Sequence, residues 1–116
     1  MSKSIMQDLK SGRCYICSRW MDRDYIQKGL EKHHVIYGKG NRKLSEKYGL
    51  TVMLCRHHHQ GDIHGVTDAI HNNPDKTNDL RLKREAQRAW EKKYGTREEF
   101  MRIFGENYAE ENDDHA

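Results

Sequence analysis

The tightest constraint on this 116-residue chain is a set of four metal-seeking side chains arranged as two matched pairs. Cys14-Tyr15-Ile16-Cys17 and Cys55-Arg56-His57-His58 each separate two soft ligands by two residues. That spacing lets a tight turn aim both side chains at one tetrahedral ion. An ion shared by the two pairs would tie an N-terminal knuckle to the region beyond Leu54 and substitute for missing core. The chain needs such a staple, because only 34% of its residues are hydrophobic and an equal share is charged.

Three cysteines cannot close into a complete disulfide framework, and Cys-x-x-Cys with a distant Cys and His fits zinc in a reducing cytoplasm. The other readings of Cys14 and Cys17 are a redox dithiol or two buried thiols. No thioredoxin-like strand–helix–strand pattern surrounds them. The spacing favours His58 as the fourth ligand, with the adjacent His57 as the alternative.

A second concentration of imidazole overlaps the first. Six of the eight histidines fall between Leu30 and Gly65. His33 and His34 sit in a segment, Leu30–Tyr37, that reads as a short strand through Val35, Ile36 and Tyr37. Neighbours on a strand point to opposite faces, so one can bind metal while the other meets substrate. Gly38-Lys39-Gly40 breaks the strand, 41–48 forms two helical turns stopped by Gly49, and Leu50–Leu54 is a second strand. A helix carrying His58 and His59 follows Cys55. His33, His59 and His64 could then bind one ion with positions left open for phosphate and water, which is what separates a catalytic metal from a structural one.

Beyond the turn Asn72-Asn73-Pro74-Asp75, Leu82, Ala86, Ala89, Trp90 and Tyr94 recur three or four apart. They predict one amphipathic helix over 76–94, capped by Thr77 or Asn78 and ended by Gly95. Arg81, Arg84, Glu85, Arg88 and Glu91 lie off its apolar stripe. Thr96-Arg97-Glu98-Glu99 is a capping box opening a last short helix before Gly105, with Phe100, Ile103 and Phe104 on one side. These aromatics read as core rather than as stacking platforms.

The chain therefore divides into an arm (1–11), a metal-stapled core (12–70), a helical part (71–105) and an acidic tail (106–116). Residues 1–50 carry eleven bases against five acids, 51–105 ten against eight, and 106–116 five acids and no base. A basic body is compatible with a polyanionic partner. No long apolar run marks a transmembrane helix or a secretory signal, so a cytoplasmic protein with no membrane partner is expected.

At Glu31-Lys32-His33-His34-Val35, Leu54-Cys55-Arg56-His57-His58-His59 and His64 the chain resembles the HNH (ββα-metal) nucleases. With Cys14-x-x-Cys17 ahead of these motifs it is similar to the zinc-stapled subgroup. More narrowly it resembles small phage-type HNH proteins, including the RecA-dependent recombination-enhancement nucleases. The likeness covers roughly residues 12–66. It implies an α+β fold with a small ββα-metal core, a structural zinc knuckle on Cys14, Cys17, Cys55 and His58, and C-terminal helices added to it. It also implies His33, His59 and His64 as ligands of a catalytic divalent metal (Mg, Mn or Zn) and His34 as the general base. The family's asparagine before the second strand is replaced here by Gly49-Leu50. His64 follows His59 by one residue more than the usual four, which leaves Asp62 as an alternative ligand.

The function expected from this pattern is metal-dependent hydrolysis of DNA phosphodiester bonds with low base specificity, by nicking or cutting, in phage recombination, packaging or DNA processing. DNA is the expected partner, with a recombination or phage protein beside it and no small-molecule cofactor; RNA is a weaker alternative substrate. Lys39, Arg42, Lys43 and Lys47 lie next to the site in sequence and would hold backbone phosphates. The rival reading is a non-catalytic zinc module that binds nucleic acid or protein.

Overall fold

The computed structural model describes residues 3–38, 40–61, 69–71, 73 and 76–109. Their elements follow the order α1 (Tyr15–Arg19), β1 (Glu31–His34), α2 (Asn41–Tyr48), β2 (Thr51–Leu54), α3 (Arg56–His59), α4 (Thr77–Lys93) and α5 (Arg97–Phe104). This is an α+β architecture built on a two-stranded antiparallel sheet. The register pairs Glu31 with Leu54 and His33 with Val52.

The first strand is shorter than its run of β-formers predicts. The Ser45 hydroxyl accepts from the Ile36 amide at 3.1 Å and donates to its carbonyl at 2.6 Å. A side chain thus takes over the backbone groups that a longer ladder would use. Val35 and Ile36 still enter the core, where both are fully buried with Leu50, Val52 and Leu54. The second strand begins at Thr51 rather than Leu50 because Gly49 closes α2 in the left-handed region at φ 74°. A Cβ there would run into the Lys3 carbonyl oxygen, so only glycine fits.

Residues 3–10, part of the expected arm, run without helix beside the sheet. The Ser4 hydroxyl donates to the Thr51 carbonyl, the Gln7 side chain accepts from the Met53 amide at 2.8 Å, and Met6 is buried.

Helix α4 buries Leu82, Ala86 and Trp90 as its spacing predicts, while Tyr94 ends it 45% exposed. Its N-cap is Lys76 without a side-chain cap, so Thr77 and Asn78 stand inside the first turn rather than capping it. The capping box at Thr96 and Glu99 is formed, and α5 stacks Phe100 on Phe104 at 4.5 Å and sets Phe100 against Trp90 at 5.6 Å.

Two polar side chains of α4 make joints that its apolar stripe does not announce. Glu85, which lies off the apolar stripe, accepts from the Tyr15 hydroxyl at 2.7 Å and the Trp20 indole at 2.9 Å, which docks α4 onto α1. Gln87 is fully buried; its amide nitrogen donates to Asn107 at 2.8 Å and its oxygen accepts from the Tyr108 amide at 2.7 Å. The start of the acidic tail is therefore fastened to α4, and residues 110–116 lie outside the described residues. No helix among the described residues is long and apolar enough to cross a membrane.

Candidate metal centres

Cys14 is the N-cap of α1, its sulfur accepting from the Cys17 amide, and Cys55 is the N-cap of α3. Each Cys thus opens a helical turn, and the ligand three residues on comes round to the same side. The two turns meet. The His58 Nδ1 lies 3.3 Å from the sulfurs of Cys17 and Cys55 and 3.7 Å from that of Cys14, with Cys17 and Cys55 3.9 Å apart. Ligand atoms around a tetrahedral zinc sit about 3.6–3.8 Å from one another, given the usual bond lengths. The donor set and its spacing fit, and Cys14, Cys17, Cys55 and His58 could hold a metal such as zinc. His57 stands outside this group.

The thiols are at odds with one another without a counter-charge. A hydrogen bond from Cys55 holds Cys14 down at about 3, against the opposing effect of burial. Cys17 is raised by burial, and Cys55 is raised by its hydrogen bond to Cys14 and then by burial. A divalent cation removes that conflict by favouring every thiolate at once.

The second cluster is made of imidazoles. His33 from β1, His59 from α3 and His71 bring one ring nitrogen each to within 4.8 Å of the others. Their ring centroids are 4.8–5.1 Å apart. His71 is the residue that sequence reasoning missed. It follows a stretch, 62–68, that holds both His64 and Asp62 and lies outside the described residues. What delivers His71 is backbone pairing: the Ile70 amide donates to the His58 carbonyl at 2.7 Å and the His71 amide to the His59 carbonyl at 2.8 Å. No spacing rule encodes that contact, although a lone histidine just before a turn was a visible mark.

Strand alternation organises the surroundings of the cluster. Glu31 and His33 share the strand face toward α3, where Glu31 Oε1 lies 2.8 Å from His59 Nδ1. A carboxylate at that distance accepts a hydrogen bond from Nδ1–H and leaves Nε2 as the ligand atom, as metal-binding histidines commonly require. His33 is buried, and its Nε2 has no hydrogen-bond partner among the described residues. Burial, then the neighbouring His59 and His71, push His33 down to about 2, so it stays in the neutral form that can bind metal. His71 is also lowered, chiefly by burial. The Tyr37 ring backs the cluster, 5.3 Å from His71, and its hydroxyl donates to buried Asp79, which also pairs with Lys83 at 2.9 Å.

Lys32 and His34 share the other strand face and meet on one carboxylate oxygen. Glu46 Oε1 lies 2.8 Å from Lys32 Nζ and 2.9 Å from His34 Nε2. Those two bonds, Lys32 first, hold the Glu46 carboxyl below its ordinary range. With an ionised Glu46 accepting at Nε2, the free lone pair of a neutral His34 is at Nδ1.

An open concavity of about 650 Å³ wraps around the strand and is lined by His33, His34, His59 and His71 together with Lys32 and Arg42. Of the expected phosphate contacts, Arg42 faces this space; Lys43 does not line it, Lys47 lines a different groove, and Lys39 lies outside the described residues. Sequence reasoning also passed over Glu31 and Glu46, whose partners are fixed by register and by α2 packing. No family model, curated protein or solved structure matches the chain.

Proposed function

We propose that this protein is a metal-dependent endonuclease of the HNH (ββα-metal) kind that hydrolyses phosphodiester bonds of DNA with little base preference. The observation that carries this reading is the convergence of His33, His59 and His71 beside an oriented His34 in an open, basic concavity. Three imidazole ligands would leave coordination positions open on a bound ion, as a catalytic metal needs. A divalent ion bound there would stabilise the charge that develops on the phosphate and the leaving oxygen.

The chain's own groups do the rest. His34, held at Nε2 by Glu46, accepts a proton from water at Nδ1. Glu31 fixes the tautomer of His59. Arg42 neutralises phosphate charge at the rim without reading bases, which supports low sequence preference. The thiolate cluster of Cys14, Cys17, Cys55 and His58 serves as scaffold, holding α1 against α3. A phage setting, with a recombination or packaging protein as partner, rests on the sequence likeness alone.

The test is nicking of supercoiled plasmid in Mg²⁺, Mn²⁺ or Zn²⁺, with an equal-length RNA as the second substrate. Cleavage that is lost in EDTA and in His34→Ala supports the proposal. Cleavage unchanged by His34→Ala removes that residue as base. The rival reading, a binding module without catalysis, is favoured by the completeness of the thiolate cluster, which could secure the fold alone; one ion per chain and no cleavage in any metal would establish it.

A further inference from the structure

Away from the histidines, four lysines from three separate segments converge on one groove. Lys3 comes from the N-terminal segment, Lys47 from the end of α2, and Lys92 and Lys93 from the end of α4. No carboxylate lines this groove among the described residues, and none of the four lysines has an ion pair there. All four are exposed. Tyr94, 45% exposed, forms part of its wall, with the Lys93 ammonium 5.8 Å from its ring centroid. A lysine near a helix C-terminus complements the helix dipole, which accounts for Lys47, Lys92 and Lys93 one helix at a time. It does not account for their meeting Lys3, which belongs to no helix.

The groove and the histidine concavity border a common neighbour. A third concavity, bordered by Lys10 and Arg19, shares Lys3 with the lysine groove and Lys32 with the histidine concavity. Asp8 is its only acidic border residue among those described. Three hollows thus adjoin through shared border residues, with Lys32, which pairs with Glu46, at one joint and Lys3, Lys10, Arg19, Lys47, Lys92 and Lys93 along the rest. A single small anion would need one such site; a row of cations following a curved surface matches a polyanion with regularly repeated charges.

We infer that this track carries the phosphodiester backbone of a nucleic-acid strand away from the histidine concavity, with Lys3, Lys47, Lys92 and Lys93 neutralising phosphates at its far end. The inference rests on the proposed function for the nature of the ligand, but it concerns binding and not cleavage, so the two can fail separately. The contacts are to backbone charge, so affinity without base selectivity is expected.

The test uses the full chain carrying His34→Ala, which keeps the probe intact, and fluorescence anisotropy with a hairpin-capped duplex. At about 20 base pairs and 3.4 Å per pair the duplex outreaches the 40 Å long axis of the molecule. Adding Lys3→Gln, Lys92→Gln and Lys93→Gln is expected to weaken binding about tenfold or more at 0.1 M salt. The slope of log affinity against log salt should become shallower by about 2. The same three positions changed to Arg should keep both affinity and slope, which guards against misfolding as the cause. An RNA duplex of equal length serves as a second arm, and a slope change with either nucleic acid supports the track. An unchanged slope in the Gln variant overturns it. Equal binding of the starting protein to polyglutamate, or to phosphatidylserine vesicles, with the same dependence on the lysines also overturns it, by assigning the patch to another polyanion.

Discussion

His34 Nε2 and Glu46 Oε1 lie 2.9 Å apart, joining a strand residue to a helix residue twelve positions later. The same oxygen receives Lys32, so the carboxylate stays ionised and the imidazole is held in one tautomer. If His34 is the base, Glu46→Ala should lower kcat for plasmid nicking about tenfold or more while leaving metal content and duplex affinity near those of the unmodified protein. A loss of affinity with kcat intact would show that Glu46 serves the fold alone.

Metal content separates the two clusters. The unmodified chain is expected to hold two ions, measured by elemental analysis after exhaustive dialysis. His71→Ala should reduce this to one and abolish nicking, with the fold retained. Cys55→Ala should instead lower the thermal midpoint and promote unfolding, because loss of one thiolate leaves the remaining buried thiols without their shared counter-charge. Two ions in His71→Ala would mean that the third imidazole ligand lies elsewhere.

The joint between α4 and α1 gives a stability prediction free of metal. Glu85→Ala leaves the Tyr15 hydroxyl and the Trp20 indole without their acceptor and should cost about 1–3 kcal/mol in denaturant unfolding. Phe100→Ala, in the centre of the aromatic cluster, should cost about 3–5 kcal/mol. Equal and negligible effects of both would place the stabilising core outside the C-terminal helices.

Alkaline pH acts through two tyrosines. Burial, then a carboxylate partner, raises both Tyr15 and Tyr37 above the ordinary phenol value, Tyr15 through Glu85 and Tyr37 through Asp79. A group that keeps its proton more tightly when folded contributes stability that is fully present below its unfolded value of about 10 and is lost as pH rises toward its higher folded value. The denaturation midpoint should therefore fall as pH is raised above about 10, and the double variant Tyr15→Phe, Tyr37→Phe should show a weaker fall.

The parts of this molecule that depend on local periodicity were legible in the sequence. Leu82, Ala86 and Trp90 announced the buried face of α4, Thr96 and Glu99 announced the start of α5, and the two-residue spacing of Cys14/Cys17 and Cys55/His58 announced the cluster they form. The parts that depend on two segments meeting were not. His71 reaches the other imidazoles through backbone bonds to α3, Glu46 reaches His34 across the packing of α2 on the strand, and Glu85 leaves the solvent only because α1 supplies two donors. Strand alternation came closest, since it separated the roles of His33 and His34.

One short element joins the two candidate metal clusters. Helix α3 has four residues, and its last two, His58 and His59, belong to different clusters. Neighbours on so brief a turn cannot be repositioned independently. An ion held by Cys14, Cys17, Cys55 and His58 would therefore also set the pose of the adjoining imidazole. Removing an ion from the sulfur cluster should in turn weaken any metal binding at the neighbouring His59.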